Sequence, residues 1–213
     1  MEGLKMSARG AKRQSVREAS QPVRTFIAVV LPQDVKQAIG SVESQLRKSA
    51  PRVRWVSSEN LHITLKFLGN VDSDRLPDVE AAVRTAVGDL KPFRLNFRGA
   101  GAFPNPKSPR VIWIGIEGEV SHLAETADRV DKELVGIGFE AEDRPFKGHV
   151  TIGRCRDSRD GVGLSDALKG IGVLELGSMV VDSVVVMKSD LRPEGPIYSE
   201  IAEIRMGGQG VAG

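Results

Sequence analysis

The stretch LHITLKFLGN, residues 61–70, places a histidine inside an otherwise apolar run. Its alternate residues fall into two sets, one with Ile63, Leu65 and Phe67 and the other with His62, Thr64 and Lys66. This alternation predicts a strand whose first set faces the core, while the second set presents an imidazole beside a hydroxyl. Gly69 is expected to end the strand.

The same four-residue pattern occurs a second time, 87 residues further along the chain. The two copies are His62-Ile63-Thr64-Leu65 and His149-Val150-Thr151-Ile152. Each copy follows a predicted strand and helix, which indicates a duplicated, pseudo-symmetric domain with two lobes. If a two-fold axis relates the lobes, two imidazoles and two hydroxyls converge in one cleft.

Hydrophobic periodicity predicts the remaining elements. Strands are expected at 24–31, 53–56, 93–99, 111–118, 149–155, 174–191 and 196–206, and helices at 33–49, 72–89 and 119–138, with one short helix within 161–172. Three prolines indicate a loop at 101–110. Strands and helices do not alternate regularly, as they would in a parallel sheet, so the order favours an α+β fold.

The composition is that of a soluble globular protein, since 40% of the 213 residues are hydrophobic and 27% are charged. The longest apolar runs, FIAVVL and MVVDSVVVM, are far shorter than the ~20 residues that cross a membrane. Cys155 is the single cysteine, so no internal disulfide can form, and a buried strand position is expected for it rather than a nucleophilic role. These features favour a reducing, cytoplasmic location without membrane contact.

The net charge is unevenly distributed along the chain. Residues 1–22 hold five Lys/Arg and two Asp/Glu, a net +3, whereas the rest holds 25 and 26, a net −1. The folded part is therefore not basic enough for its charge to indicate a nucleic-acid partner. We expect 1–22 to be a disordered basic tail, with a transit peptide as the alternative. We expect 23–206 to form a single bilobal domain and 207–213 to be flexible.

Two imidazoles that face one phosphate form a general acid and base pair. The unperturbed pKa of histidine is ~6.5, so one ring can be neutral while the other is protonated near pH 7. Such a pair needs neither a nucleophilic side chain nor a metal, because the base activates water and nearby donors neutralise the phosphate. Thr64 and Thr151 are the expected donors, and Arg154 is the expected fixed cation. Strand parity places Arg154 on the opposite face, unless a bulge at Gly153 rotates it inward.

Other charged and titratable residues allow more than one interpretation. His122 is expected on the surface of a helix. A metal site would need a third ligand beside the motif histidines, and no ligand pattern in the sequence supplies one. Lys66 either adds positive potential to the face of His62 or is a solvated lysine at a sheet edge.

The aromatic residues and the proline-rich loop supply weaker candidates for substrate contact. The aromatic candidates for stacking on a base or ribose, with core packing as the alternative for each, are Phe26, Trp55, Phe146 and Tyr198. In the loop, Lys107 and Arg110 are candidates for contact with an RNA backbone.

With these residues in place, the chain resembles the two-histidine phosphoesterase superfamily, whose signature is a pair of His-x-Thr-x strands. More narrowly, it is similar to the bacterial and archaeal RNA 2',3'-cyclic phosphodiesterase family, also called 2'-5' RNA ligases. Four segments carry the similarity: RTFIAVVLP, RWVSSENLHITLKFLG, RPFKGHVTIGR and KSDLRPEGPIYSEI. One departure is Gly148, where that family commonly has a proline before the second histidine.

The resemblance implies a bilobal α+β fold in which two antiparallel sheets line a central cleft, with the helices on the outside. It implies hydrolysis of a 2',3'-cyclic phosphate at an RNA 3' end to a 2'-phosphomonoester, without a metal or cofactor. The implied catalytic pair is His62, as proton donor to the departing 3'-oxygen, and His149, as proton acceptor from water. The implied substrate-binding residues are Thr64, Thr151 and Arg154, and Tyr198 joins them as our candidate for stacking. A monomer is expected.

Two other functions stay open at this point. The same chemistry fits a phosphodiesterase of another small cyclic nucleotide or of a 2'-5' linkage. A non-catalytic module that binds a nucleotide or RNA in the cleft is the alternative from another class, although binding alone has no use for two titrating imidazoles. Reversal of the hydrolysis, with a 2'-hydroxyl in place of water, is interpreted as 2'-5' ligation.

Overall fold

The computed structural model describes residues 21–161, 163–171 and 173–207. Most of the two predicted tails, residues 1–20 and 208–213, therefore lies outside the described residues. The strands are β1 (Pro22–Val30), β2 (Arg54–Trp55), β3 (His62–Asp72), β4 (Phe93–Phe103), β5 (Val111–Gly118), β6 (His149–Arg154), β7 (Glu175–Val181), β8 (Ser183–Arg192) and β9 (Gly195–Arg205). The helices are α1 (Gln33–Ser49), α2 (Leu76–Val87), α3 (Val120–Gly136) and α4 (Leu164–Ile171).

The helices bury apolar stripes, as the 3.6-residue periodicity predicts. In α1, which has the predicted bounds, the buried stripe is formed by Val35, Ile39, Val42 and Leu46. Helix α2 begins later than predicted, because β3 continues through Gly69, whose φ of 70° lets the chain turn without ending the strand. Among the described residues, no helix is long and apolar enough to cross a membrane.

The described strands form one antiparallel sheet in the order β7-β4-β5-β6-β3-β1-β8-β9, with β2 added to β6. The prediction of two sheets is therefore wrong, whereas the α+β class is confirmed. The halves of the sheet meet where β3 pairs with β6, through Ile63 and Val150. Because these strands approach closely enough to share backbone pairing, the two lobes fuse into one sheet instead of facing each other as two.

Strands cross between the two halves of the sheet: the first half of the chain supplies β4 to the half that contains β6, and the second half supplies β8 and β9 to the half that contains β3. Strand β4 follows β3 in the chain, yet its neighbours are β5 and β7. Strand β8 follows β7, yet its neighbours are β1 and β9. The order is therefore symmetric about the contact of β3 with β6, with β4 and β8 in matching positions.

The two motif strands bulge at equivalent positions. In β3, Leu65 is an extra residue, because its two neighbours pair with consecutive residues of β1. In β6, Ile152 is extra in the same way against β5. Each of these residues lies three positions after its motif histidine. Bulges bend a strand and increase its twist, so these two curl the sheet at its centre.

The bulge in β3 reverses the alternation of side chains that precedes it. Lys66 is 3% exposed and lies in the interior, whereas Phe67 is 55% exposed. The predictions that Lys66 shares the face of His62 and that Phe67 faces the core are both wrong. Parity counting fails here because one inserted residue moves the side chains that follow it to the opposite face, up to a second register shift at Leu68.

The main core lies between the sheet and the four helices. It includes Ile63 and Val150, the two residues that pair at the centre of the sheet, and both are fully buried. A smaller cluster lies on the other face of the sheet and contains Phe26, Ala28, Val185 and Met187. The alternate residues of the motif strands therefore face away from the helices, toward this second cluster.

We expect Ile63→Ala to lower the free energy of unfolding by ~2–5 kcal/mol, because it leaves a cavity where the two halves of the sheet join. Urea denaturation followed by circular dichroism measures the change. Leu191→Ala, at a residue that is 70% exposed, is the control and should stay within about 0.5 kcal/mol. Equal effects of the two substitutions would contradict the central position of Ile63.

Candidate active site

The pairing of Ile63 with Val150 brings the two motifs side by side. Since adjacent residues of a strand face opposite ways, the histidine and threonine of each motif lie on the face away from the helices. We call this surface the motif face and define it by His62, Thr64, His149 and Thr151. The antiparallel register sets each histidine against the threonine of the other motif.

Both imidazoles are held in the same way by the backbone. Nδ1 of His62 lies 2.7 Å from the carbonyl oxygen of Asn60, and Nδ1 of His149 lies 2.8 Å from that of Lys147. A carbonyl oxygen can only accept, so Nδ1 carries the hydrogen in each ring and donates it. In the neutral form this leaves Nε2 as the free base. Nε2 of His62 lies 3.0 Å from Oγ1 of Thr64.

An aromatic edge also supports each imidazole. The rings of His62 and Tyr198 are 5.3 Å apart and nearly perpendicular, at 87°. The rings of His149 and Phe103 are likewise 5.3 Å apart, at 83°. Tyr198 comes from β9 and Phe103 from the end of β4, so different elements make matching contacts in the two halves. Tyr198 thus contacts the ring of His62, and its use as a stacking surface stays a prediction.

The environment of His62 lowers its pKa below the ordinary 6.5, chiefly because the packed imidazole has lost contact with water. Its hydrogen bond to the Asn60 carbonyl opposes this effect. The positive charges of Arg154, Lys36 and His149 add to it. With its pKa lowered in this way, His62 is neutral at pH 7.

Arg154 lies at the end of β6, directly after the bulge at Ile152. The extra residue, Ile152, returns Arg154 to the face of His149 and Thr151, whereas the bulge expected from the sequence lay one residue later, at Gly153. Burial raises the pKa of the Tyr198 hydroxyl, and the charges of Arg154 and Arg24 oppose that rise. Arg154 therefore acts on both His62 and Tyr198.

Phe67 occupies the position in the first motif that Arg154 occupies in the second, five residues after the histidine. Sequence reasoning missed it, because the bulge argument was applied to one motif only. Applying the same bulge to both motifs would have predicted this position, because it places the fifth residue after each histidine on the motif face.

Lys36 and Phe103 were also missed. Lys36 projects from α1, and its Nζ donates to the carbonyl oxygen of Glu59 at 3.3 Å. Phe103 lies within the stretch that the sequence assigned to a loop, whereas β4 extends to it. Neither residue is near a motif in the sequence, so only the tertiary fold brings Phe103 against His149 and the charge of Lys36 close enough to affect His62.

A groove of about 800 Å³ opens beside the second histidine. We call it the His149 groove, and the residues that define it are Thr64, Phe67, Phe103, Arg110, Phe146 and His149. Beside three aromatic rings, charged side chains of both signs line it, among them Arg110, Lys66 and Asp131. Lys107, the other cationic candidate of the proline-rich loop, is exposed and does not line it.

The remaining candidates lie elsewhere. Phe26 is 2% exposed and packs 4.9 Å from the ring of His62, so it belongs to the apolar cluster of the motif face. Trp55 packs against the main core. His122 lies exposed on α3, as predicted. Cys155 is half-buried, and burial raises the pKa of its thiol. Within the described residues, no three His, Cys, Asp or Glu side chains are grouped to hold a metal ion.

The chain matches the model of the LigT-like phosphoesterase family twice, over residues 29–113 and over residues 114–198. Each match contains one of the two motifs. The successive matches support the internal duplication that the motif spacing indicates.

Curated relatives are similar over most of their length. An RNA 2',3'-cyclic phosphodiesterase of Methanothermobacter thermautotrophicus is 35% identical, over 86% of this chain and 99% of the relative. One of Archaeoglobus fulgidus is 36% identical, over 84% of this chain and 98% of the relative. A crystal structure of a Thermus thermophilus protein shares 30% identity with a TM-score of 0.69, covering 87% of this chain and 99% of that one.

We expect acid to destabilise the protein partly through His62. The lowered pKa means that, in acid, the folded protein binds fewer protons at His62 than the unfolded chain does. The contribution of His62 to the free energy of unfolding is therefore complete above pH 6.5 and decreases as the pH falls below 6.5. Between pH 7 and 5, the free energy of unfolding should therefore fall less steeply in His62→Gln than in the unaltered protein. The surface variant His122→Gln is the control and should keep the original slope. Parallel slopes for His62→Gln and the unaltered protein would contradict the prediction.

Proposed function

The chain belongs to the LigT-like phosphoesterase family, and we propose that it is an RNA 2',3'-cyclic phosphodiesterase that leaves a 2'-phosphomonoester. The observation that carries the proposal is the matched pair of imidazoles on one face, each with Nδ1 tied to a carbonyl and Nε2 directed away from that bond. Two imidazoles held in this way, each beside the threonine of the opposite motif, are suited to transferring protons on opposite sides of one phosphorus atom. The names of the curated relatives, similar over nearly their whole length, support the same activity.

Opening of the cyclic phosphate needs one proton removed and one delivered. Water attacks phosphorus in line with the 3'-oxygen, a bond forms from water to phosphorus, and the bond to the 3'-oxygen breaks. One imidazole accepts the proton of the attacking water, and the other gives its proton to the departing 3'-oxygen. The 2'-oxygen keeps its bond to phosphorus, so the product is a 2'-phosphomonoester.

The threonines and the cations bind the phosphate. The hydroxyls of Thr64 and Thr151 lie on the motif face and can donate to the two non-bridging oxygens. Arg154 supplies a fixed positive charge, and the guanidinium geometry suits bidentate contact with a phosphate. Lys36 adds a second positive charge near His62. These groups stabilise the extra negative charge on phosphorus in the transition state.

The neutral state of His62 in the free protein fits a proton uptake that accompanies binding. An anionic phosphate close to Nε2 offsets the nearby cations and raises the pKa of the ring. His62 then enters the reaction protonated, as the donor that the family resemblance implies. His149 is the acceptor from water in this scheme, and no cofactor or metal takes part.

The His149 groove is suited to the nucleoside of the substrate. Phe67 lines it with its side chain 55% exposed, and it lies five residues after the first histidine on the same face. An exposed ring beside a phosphate site provides a stacking surface for a nucleobase. We assign this role to Phe67, while Tyr198 supports the imidazole of His62.

The same arrangement can join two RNA ends. The attacking group must then be a 5'-hydroxyl, because the 2'-hydroxyl considered from the sequence would form a 2'-2' linkage. The histidine that accepts a proton from water activates the 5'-hydroxyl instead, and the bond from phosphorus to the 3'-oxygen breaks as before. The product is a 2'-5' linkage beside a free 3'-hydroxyl. Ligation therefore requires no additional residue, only a second RNA end in the groove.

We expect the purified protein to open a 2',3'-cyclic nucleotide in the presence of EDTA, with only the 2'-phosphate formed. His62→Ala and His149→Ala should each lower kcat by roughly 10²–10⁴-fold, because each removes one proton transfer. His122→Ala is the control and should retain full turnover. Loss of activity in EDTA with recovery on adding a divalent metal would overturn the mechanism, and binding of the cyclic nucleotide without turnover would favour a non-catalytic module.

A substrate with sulfur in place of the 3'-oxygen should distinguish the two histidines. A thiolate leaves without a proton, so this substrate needs the base but not the acid. Turnover should therefore recover in His62→Ala and stay low in His149→Ala, measured by the appearance of the free thiol. The reverse pattern would exchange the two roles.

We expect Phe67→Ala to raise KM for a cyclic nucleotide by roughly 5- to 150-fold, the effect of losing one base stacked on an aromatic ring. The effect on kcat should be smaller, because Phe67 touches neither reacting proton. A ribose 2',3'-cyclic phosphate without a base is the control substrate, and on it the variant should equal the unaltered protein. A similar loss on both substrates would show that Phe67 does not contact the base.

A further inference from the structure

Lys66 is a buried cation that the proposed chemistry does not use. Its side chain is 2% exposed, and its Nζ donates to Asp131 of α3 and, at 2.6 Å, to the carbonyl oxygen of Glu140. The bulge at Leu65 is what directs it inward from β3. A lysine at this depth needs such partners, because an unpaired buried cation is strongly unfavourable.

The partners of Lys66 hold a stretch of chain without regular secondary structure. We call residues 140–147 the approach segment, because they connect α3 to the second motif. Lys66 binds the carbonyl oxygen at its start, and the Asp131 carboxylate accepts the backbone N–H of Glu142 at 3.2 Å. At its end, the carbonyl oxygen of Lys147 binds the ring of His149. Two of the hydrogen bonds that fix this backbone therefore end on the Lys66–Asp131 pair.

The approach segment and the residue after Lys66 both line the His149 groove, and Lys66 and Asp131 line it with them. Phe146, near the end of the segment, is part of the groove, and so is Phe67. Phe67 points outward because Lys66 points inward, since adjacent residues of a strand face opposite ways. The ion pair is therefore hydrogen-bonded to the approach segment and directly precedes Phe67 in β3.

The second motif has no counterpart of this pair. The residue that corresponds to Lys66, four after the histidine, is Gly153, and a Cβ there would lie 2.9 Å from Val53 and 3.2 Å from Trp55. In the second motif, neighbouring side chains therefore occupy the interior space beside Gly153. In the first motif, the side chain of Lys66 occupies the corresponding space. A buried ion pair gives little net stability compared with apolar packing, so stability alone does not explain the lysine.

We propose that Lys66 and Asp131 are positioning residues that hold the approach segment and Phe67 in the places from which they line the His149 groove and contact a nucleoside. The inference rests on the proposed function for the identity of the occupant, but the placement of the approach segment does not depend on it. The pair acts on binding of the nucleoside, through Phe67 and Phe146, rather than on the reacting phosphate.

The test compares Lys66→Met and Asp131→Asn with the unaltered protein. Lys169→Met is the matched control, because Lys169 pairs with Asp166 on α4 with its side chain 74% exposed. The backbone N–H of Glu142 should exchange with solvent faster in both variants and unchanged in the control. KM for a 2',3'-cyclic nucleotide should rise roughly 10-fold in both variants with kcat nearly constant. The inhibition constant of inorganic phosphate, which needs only the motif face, should stay the same.

Unchanged exchange at Glu142 together with an unchanged KM would overturn the proposal. So would a parallel loss of phosphate affinity, since that would mean general damage to the motif strands. If either single variant fails to fold, the double variant Lys66→Met/Asp131→Leu replaces the pair by apolar side chains, a change that buried ion pairs often tolerate. It should show the same faster exchange and the same rise in KM.

The two proposals fail in different ways. If the unaltered protein neither opens nor binds a cyclic nucleotide, the proposed function is wrong, and exchange at Glu142 alone decides whether the pair positions the segment. If the unaltered protein turns over normally and the variants match it in KM and exchange, the proposed function stands and the positioning role is wrong.

Discussion

The pairing of Ile63 with Val150 is the contact on which the rest of the structure depends. These two residues hold corresponding positions in the two motifs, so their contact lies at the centre of the pseudo-symmetry. Burying both under the helices turns the neighbouring histidines and threonines to the other face of the sheet. A short distance between the motifs and a shared face thus follow from one backbone register. Moving either strand by one residue would bury the imidazoles and expose the core.

The sequence predicted what depends on local pattern. The helix at 33–49, the strand at 111–118 and the pairing of a histidine with a threonine two residues later all follow from periodicity. It also located the irregularity near Gly153 that brings Arg154 to the motif face. The number of sheets, by contrast, depends on whether two strands 87 residues apart come within hydrogen-bonding distance, and no local pattern contains that information.

The misplaced residues share a non-local cause. Lys66 and Phe67 were each assigned to the wrong face of the sheet, because a bulge depends on the partner strand and parity counting ignores that strand. Lys36 and Phe103 were missed because α1 and the end of β4 come near the two motif histidines only in the folded protein. The two halves also differ where symmetry would make them equal. Phe67 in the first motif corresponds to Arg154 in the second. The two halves of the sheet are therefore arranged symmetrically, whereas the side chains of the site are not. One half offers an aromatic ring and the other a positive charge.

The exchanged strands β4 and β8 bear on how such a chain arises. Each pairs with the first strand of the other repeat, β4 with β5 and β8 with β1, so a single repeat made alone would leave strand edges without partners. Unpaired edges of this kind favour association with another copy. Two copies of a half-length chain, each lending this strand to the other, would rebuild a similar sheet with two-fold symmetry and one histidine from each subunit. The central strands of the present protein are therefore ordered as they would be in a strand-swapped homodimer, with a single chain in place of two.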